Sequence, residues 1–280
     1  MTVAVVTDSS ATLPADLVSR WGITVVPLQV VVDGSPRAEG VEISSAEVLA
    51  ALVAGQEVAT SQPSVETFAA TFRRLADDGA TSIVAVLLSS RLSGTVAGAR
   101  QAADAVAIPV TVVDSAQVAM ATGFAALAAA SAASAGLGPQ ECAERARQVA
   151  ATATCTFTVD TLEFLRRGGR LSSAAAAMGR MLQVRPVLDI VGGEVAVAEK
   201  VRSTARAREA VTRRALDAAQ ACTNPVFAVL TLGGDYGDQC VAELPAGATV
   251  VRADVGAVLA VHAGPGALAI ATADLSLPPT

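Results

Sequence analysis

Three short apolar runs, each followed by a polar loop and then by a segment of good helix formers, constrain the fold of this chain most. The runs span residues 3–7, 83–88 and 110–113 and are rich in valine and isoleucine. They lack the alternation of apolar and polar residues that is typical of a strand with one face in water. Each run therefore predicts a strand buried on both faces, and the alternation with helices predicts a parallel sheet covered by helices.

The pattern changes after about residue 155. Two apolar segments, residues 184–190 and 194–201, flank the dipeptide Gly192-Gly193 and predict an antiparallel hairpin. Further strands are predicted at residues 226–232, 249–253, 258–261 and 267–271, with a helix at residues 204–221. We therefore predict an α/β domain over residues 1–155 and an α+β domain over residues 156–280.

Charge and composition exclude several classes of partner. The chain carries 20 basic and 26 acidic side chains, a formal net charge of −6, so bulk charge does not suit it to nucleic acid or to anionic lipid. Aromatic residues make up only 3 % of the chain, which argues against sites that stack bases. A hydrophobic content of 52 % with 16 % charged residues indicates a large folded core.

Two stretches without charged residues, 116–138 and 255–273, are long enough to suggest membrane-spanning helices, but we do not predict that either spans a membrane. The first is mostly Ala, Ser and Gly, and the second is interrupted by His262 and a Gly-Pro-Gly turn. The start of the chain lacks the basic and apolar regions of a secretory signal, so we expect a cytoplasmic protein without stable membrane insertion. The four cysteines lie far apart without a C-x-x-C pair, so no metal site is predicted.

Polar loops follow the predicted parallel strands, where ligands bind in folds of this kind. The loop over residues 89–95 joins a strand to the start of a helix, so its free backbone N–H groups and the helix dipole favour a carboxylate or phosphate. Ser93 and Thr95 add hydroxyl donors, and Gly94 allows a ligand to approach the backbone. The segment TSQPS, with Thr60 and Ser61 ahead of another helix, is predicted to be a second such loop. The alternative, that these residues only cap helices, is equally open.

Two further features bear on an anion site. His262 is the only histidine, and we place it at the end of the predicted strand over residues 258–261, where Gly-Pro-Gly reverses the chain. A lone histidine on an apolar strand is more often a core residue than a functional one. A cluster of arginines comprises Arg166, Arg167, Arg170, Arg180 and Arg185. The cluster is either a solvated face or a site in which Arg170 turns towards the anion while the others meet an acidic partner.

Missing motifs narrow the chemistry further. No G-x-G-x-x-G follows the first strand, and no P-loop is present, so nucleotide binding of those kinds is not predicted. The segment around Ser93 lacks the first glycine of G-x-S-x-G, although Ser93, His262 and either Asp8 or Asp114 leave a serine acyl hydrolase open. A sensor of small anionic metabolites is a third reading.

Several motifs together carry a resemblance to a known family. They are TDSSATLP, TSQPS, SSRLSGT, DTLEFLRRGGRLSSAAA, KVRS and VHAGPGALAI, and they occur in this order from one end of the chain to the other. In this combination and spacing the chain resembles the DegV family. The resemblance implies an N-terminal α/β domain and a C-terminal α+β domain that hold one long-chain fatty acid in a tunnel between them.

The resemblance also implies a set of site residues. Thr60 and Ser93 are expected to donate hydroxyl hydrogen bonds to the fatty acid carboxylate, with Ser61 and Gly94 nearby. Arg170 and His262 are expected to complete the head-group site, with Arg202 as a further member. No cofactor besides the fatty acid is implied, and no catalytic residue.

In some bacteria, proteins of this family are the lipid-carrying subunit of an ATP-dependent fatty acid kinase, which is therefore an expected partner.

The chain departs from the usual pattern at Arg91, where glycine is common, and at residues 232–244, where a longer helix is common.

Overall fold

The computed structural model describes residues 2–171, 184–232 and 236–275. Within those residues, no helix is both long enough and apolar enough to cross a membrane. The first part of the chain consists of β1 (Val3–Asp8), α1 (Ala15–Trp21), β2 (Thr24–Val26), β3 (Gln29–Val32), β4 (Ser35–Ala38), α2 (Ser45–Val53), β5 (Val58–Ser61), α3 (Val65–Asp77), β6 (Ser82–Leu87), α4 (Thr95–Ala103), β7 (Val110–Asp114), α5 (Met120–Ser134) and α6 (Pro139–Thr152).

The three apolar runs form the parallel sheet that the sequence predicts. The strand order is β2-β1-β6-β7, and each neighbouring pair is parallel. Helices cover both faces, because Phe68 and Phe72 of α3 pack against Ile83 on one side, whereas α5 packs against Val84 on the other. The polar loops after β1, β6 and β7 consequently lie together at one edge of the sheet.

The segment over residues 23–32, which is rich in β-branched residues, forms two strands, β2 and β3. Pro27 separates β2 from β3, because proline has no backbone N–H to donate to a neighbouring strand. β3 turns at Asp33 and Gly34, which both have positive φ, and pairs with β4 and β5 in a small antiparallel sheet of order β4-β3-β5. This sheet contributes the end of β5 to the site described below.

The second part of the chain contains a six-stranded sheet. The described elements of this second part are β8 (Thr154–Thr158), α7 (Glu163–Arg167), β9 (Arg185–Val191), β10 (Glu194–Val201), α8 (Thr204–Ala219), β11 (Pro225–Thr231), α9 (Tyr236–Glu243), β12 (Thr249–Asp254), α10 (Ala257–Ala263) and β13 (Leu268–Asp274). The strand order is β10-β9-β8-β13-β11-β12. The antiparallel hairpin predicted around Gly192-Gly193 is confirmed as β9 and β10.

The two faces of the six-stranded sheet have different neighbours. One face packs against α8, where Val211 contacts the group that contains Phe227 and Ile270. The opposite face shares a continuous core with α5 of the first part, through residues such as Leu230. A mixed architecture with a parallel-sheet part and an α+β part is therefore confirmed. A domain boundary near residue 155, inside β8, remains our proposal.

The strand predicted over residues 258–261 is wrong, because the structure places helix α10 there. An apolar run of four residues fits a buried strand and a buried helix equally well. Gly256 and Gly264 have φ values of 81° and 71°, which interrupt the backbone on either side of α10. His262 therefore lies in the last turn of a short helix rather than at the end of a strand. In residues 232–244, the structure describes helix α9 over Tyr236–Glu243.

Candidate functional site

A mostly apolar cavity lies between the two large sheets. Its apolar wall comes from both parts of the chain and includes Leu28, Leu88, Leu92, Val118, Ala119, Cys155, Phe157, Leu165, Ile190, Val195, Leu230, Val255, Val258, Leu259 and Leu268. Its polar lining consists of Thr60, Ser61, Gln62, Ser93, Arg170 and His262. Residues on strands, helices and loops of both parts of the chain thus meet around one space, which no local stretch of sequence could form alone.

The hydrogen bond between Thr60 and His262 is the centre of the polar lining. Thr60 Oγ1 lies 2.9 Å from Nε2 of His262, across 202 positions of sequence. Thr60 and Ser61 are the last two residues of β5, paired with Val30 and Gln29, so the loop predicted to begin at Thr60 begins after Ser61 instead. A strand holds the Thr60 hydroxyl at a defined position opposite the end of α10.

The imidazole of His262 is neutral at neutral pH. Burial and, to a smaller extent, the nearby positive charge of Arg170 together lower its pKa from 6.5 to about 4. Nδ1 is buried and has no hydrogen-bond partner among the described residues. Because a buried N–H without an acceptor is costly, we assign the proton to Nε2, which then donates to Thr60 Oγ1. The hydroxyl proton of Thr60 is thereby left free for an acceptor in the cavity.

The loop between β6 and α4 presents Ser93 to the cavity. Ser93 Oγ lies 2.8 Å from Thr95 Oγ1, and the Ser93 N–H donates to the Ser89 carbonyl at 3.2 Å. Thr95 is fully buried at the start of α4 and does not line the cavity. Asp8, at the end of β1, supports the loop by accepting the Leu88 N–H at 2.9 Å.

Gly94 lies beside the cavity lining rather than in it. A Cβ placed on Gly94 would overlap Oε1 of Gln62, so glycine allows the Gln62 side chain to lie against this loop. Gln62 is a lining residue that the sequence reasoning missed, although it lies inside TSQPS beside two predicted residues. The two predicted anion-binding segments are therefore in contact, through Gln62 and Gly94.

Arg170 ties α7 to the Ser93 loop. Its Nε donates to the carbonyl of Leu92 at 3.1 Å, and its Nη1 donates to the carbonyl of Gly168. The guanidinium thus lines the cavity with its charge while the backbone holds it in place. Arg202 is exposed just after β10 and does not line the cavity, in contrast to its expected place in the site.

The other arginines of the cluster lie outside the cavity lining. Arg166 and Arg167 are exposed and both pair with Glu163, and Arg185 pairs with Asp160. Arg180 lies outside the described residues.

Two glycines, whose packing role the sequence did not indicate, allow α7 to pack closely on α10. A Cβ on Gly168 would overlap Nδ1 of His262, and a Cβ on Gly264 would overlap the ring of Phe164. The Gly-Gly and Gly-Pro-Gly segments were visible signals in the sequence, but the residues they approach were not. The close approach of Gly168 explains why Nδ1 of His262 has an apolar neighbour.

The predicted triad of Ser93, His262 and either Asp8 or Asp114 is not assembled. His262 bonds to Thr60 rather than to Ser93, and no described carboxylate orients its Nδ1. Asp8 accepts hydrogen bonds from Ser10 and Leu88, and Asp114 accepts the N–H groups of Ser90 and Ala116. A nucleophilic serine needs a base within hydrogen-bond reach and a third group that orients the base.

Comparison with known proteins gives one consistent family. The family model described as "Uncharacterised protein, DegV family" matches residues 2–274. A DegV domain-containing protein of Streptomyces coelicolor is 42 % identical over 272 residues, which cover 96 % of this chain and 97 % of the relative. A DegV domain-containing protein of Deinococcus radiodurans is 35 % identical over 284 residues, which cover 99 % of this chain and all of the relative.

Solved structures agree with this comparison. A DegV family protein from Thermus thermophilus, described by its fatty acid binding, has a TM-score of 0.89 and 33 % identity, over 98 % of this chain and 100 % of that one. DegV of Bacillus subtilis, described as a fatty acid binding protein, has a TM-score of 0.90 and 29 % identity, with the same coverage. The arrangement of both parts of the chain is therefore shared with proteins of known structure.

Proposed function

Because the chain belongs to the DegV family, we propose that it binds one long-chain fatty acid in the cavity between its two large sheets. The proposal depends mainly on the apolar cavity, whose polar lining includes the hydrogen-bonded pair of Thr60 and His262. Two similar solved structures are described as fatty acid binding proteins, which supports the same ligand.

The polar lining suits a carboxylate. Thr60 and Ser93 are hydroxyl donors, and the guanidinium of Arg170 supplies positive charge. Neutral His262 donates to Thr60 and thereby directs the Thr60 proton towards the ligand. A carboxylate that accepts such bonds stays ionised inside the protein, because each charge-assisted bond offsets part of the cost of removing it from water. Ser61 and Gln62 are exposed and place this end of the cavity near solvent.

The apolar wall suits the hydrocarbon tail. Each methylene removed from water contributes about 0.8 kcal/mol, reduced by the lost freedom of the chain. Cys155 belongs to this wall, and burial raises the pKa of its thiol to about 12, so it remains an uncharged, unreactive side chain. Side chains such as Phe157 and Leu230 provide the remaining contacts.

We further propose that the protein does no bond chemistry alone and presents the carboxylate to a separate ATP-dependent fatty acid kinase in the cytoplasm. The support is chemical: donors for a carboxylate are present, the hydrolase triad is not assembled, and the head-group end lies near exposed residues. A partner could therefore reach the carboxylate while the tail stays buried.

Extraction of the purified protein tests the binding proposal directly. We expect mass spectrometry of the denatured extract to show about one long-chain acyl carboxylate per protein chain, or the delipidated protein to take up one equivalent of palmitate. A protein that contains no acyl carboxylate and takes up none would contradict the proposal. Covalent labelling of Ser93 by a fluorophosphonate would instead support the hydrolase, and binding of small anions without a tail would support the sensor.

A further inference from the structure

A buried carboxylate, Glu39, joins the first turn of α10 to the N-terminal part of the chain. Only 6 % of Glu39 is exposed. Its Oε1 accepts the N–H of Val258 at 2.8 Å, and its Oε2 accepts the hydroxyl of Ser9. The Ser9 oxygen in turn accepts the N–H of Leu28 at 2.9 Å, and the Glu39 N–H donates to the Leu28 carbonyl at 2.9 Å. One side chain therefore fixes α10 to two separate segments.

The opposite end of α10 carries His262. Val258 and His262 are four residues apart, which corresponds to about 6 Å along a helix axis. α10 has only seven residues, and a helix of this length is not stable by itself in water. Since Gly256 and Gly264 interrupt the backbone at its ends, its tertiary contacts determine where the imidazole lies.

The junction is shaped to receive the Glu39 carboxylate. A Cβ on Gly256 would lie 2.9 Å from Oε1 of Glu39, so only glycine allows this approach without a shift. A second cavity borders Glu39, Gly256 and Ala257. Ala257 and Val258 are buried in the core that the two parts of the chain share, so the hydrogen bond from Glu39 adds to the packing that holds the first turn of α10.

We propose that Glu39 is a positioning residue for the head-group site. By holding the first turn of α10, Glu39 keeps His262 within hydrogen-bond distance of Thr60. Glu39 does not line the apolar cavity, so it acts through the helix rather than on the ligand. This inference rests on the proposed function, because its effect is read through recognition of a carboxylate.

The test compares a fatty acid with the fatty alcohol of the same length. Delipidated wild-type protein, Glu39→Gln and Glu39→Ala are titrated with palmitate and with hexadecanol. We expect Glu39→Ala to lower the affinity for palmitate by about tenfold more than the affinity for hexadecanol, which corresponds to about 1.4 kcal/mol. Glu39→Gln is expected to lose less, because its amide oxygen can still accept the N–H of Val258.

A matched control uses a carboxylate that caps a different helix. Glu141 is exposed and accepts the N–H of Gly138 at 3.0 Å at the start of α6. Glu141→Ala removes a comparable cap at a helix that carries no residue of the polar lining. We expect this variant to keep the wild-type ratio of the two affinities.

A double-mutant cycle separates positioning from general stability. In a His262→Ala background, Glu39→Ala should change palmitate affinity by less than twofold, because the group that Glu39 positions is gone. An equal loss in both backgrounds, or an unchanged acid-to-alcohol ratio in Glu39→Ala, would overturn the proposal. If Glu39→Ala does not fold, the same cycle with Glu39→Gln decides. If the wild-type protein did not bind palmitate more tightly than hexadecanol, that result would instead contradict the proposed function.

Discussion

At the scale of single residues, burial determines the chemistry of the site more than residue type does. His262 would be half-protonated near pH 6.5 in water, but its buried position keeps it neutral, and the lack of a described partner at Nδ1 assigns its proton to Nε2. That choice decides whether Thr60 donates or accepts inside the cavity. The motif around His262 identifies the residue, whereas its protonation follows only from what surrounds it.

The first prediction concerns the titration of His262. Because it is the only histidine, its imidazole NMR resonances need no assignment in a protein without a histidine tag. We expect no titration between pH 7.5 and pH 5 in the ligand-free folded protein, since the pKa is lowered to about 4. The urea-unfolded chain should titrate near pH 6.5. A midpoint near 6.5 in the folded protein would show that the imidazole is exposed.

The same pKa shift predicts how stability depends on pH. A base with a lowered pKa binds fewer protons in the folded state, so its contribution is complete above pH 6.5 and is lost as pH falls towards 4. Asp8 has the opposite effect, because burial raises its pKa to about 6 and its contribution is lost as pH rises through that value. We therefore expect the stability of the wild type relative to His262→Gln to fall between pH 6.5 and pH 4, a comparison in which the contribution of Asp8 cancels. Urea unfolding at several pH values measures this difference.

At the scale of elements, α10 shows how tertiary packing selects among local structures. Its apolar sequence fits a strand or a helix, and its helical form is stabilised by contacts with α7 and by the Glu39 cap. The contact with α7 depends on Gly168, which has φ −71° and so needs no glycine for its backbone conformation. The requirement at Gly168 is therefore the space that His262 occupies.

A substitution of Gly168 tests that packing. Gly168→Ala should displace the imidazole, lower palmitate affinity by about tenfold and reduce stability by about 1–3 kcal/mol, as overpacking does. Gly98→Ala in α4 is the matched control, because its Cβ would have no neighbour nearer than 3.8 Å. The control should keep its affinity and gain up to about 1 kcal/mol from helix propensity. Calorimetric titration and urea unfolding measure both quantities, and equal behaviour of the two variants would argue against the packing role.

At the scale of the whole molecule, the hairpin of β9 and β10 connects the two parts of the chain beside the cavity. Ser89 is fully buried and donates its hydroxyl to the carbonyl of Gly193 at 2.7 Å. Arg91, at a position where the resemblance favours glycine, pairs with Glu194 at 2.8 Å. Two other residues of the hairpin, Ile190 and Val195, line the cavity, so the hairpin forms part of the cavity wall.

The final prediction separates these two contacts. Ser89→Ala leaves the Gly193 carbonyl without its donor, at a cost of about 1–3 kcal/mol, and we expect release of a fluorescent fatty acid to become about tenfold faster. Arg91→Ala removes an exposed ion pair worth less than about 1 kcal/mol, so release should change less than twofold. Stopped-flow displacement measures both rates. If the larger change came from Arg91→Ala, or neither rate changed, the hairpin contact of Ser89 would not restrain the ligand.

Much of the fold and part of the site could be predicted from local pattern. Continuous apolar runs indicated the buried parallel strands, and a Gly-Gly turn indicated the hairpin. Thr60, Ser93, Arg170 and His262 could be selected by motif, and all four line one cavity. Glu39 and Gly168 could not, because a buried carboxylate and a close approach are defined by partners far away in sequence.

The parallel sheet, the hairpin and the family follow from the amino-acid sequence, because these depend on the spacing of apolar residues and on the order of motifs along the chain. Long-range packing, in contrast, makes residues 257–263 a helix and keeps His262 neutral and hydrogen-bonded to Thr60, 202 positions away. The physical reason is that periodicity reports on neighbours within a few residues, whereas burial, pKa and hydrogen-bond direction depend on segments that meet only when the chain is packed.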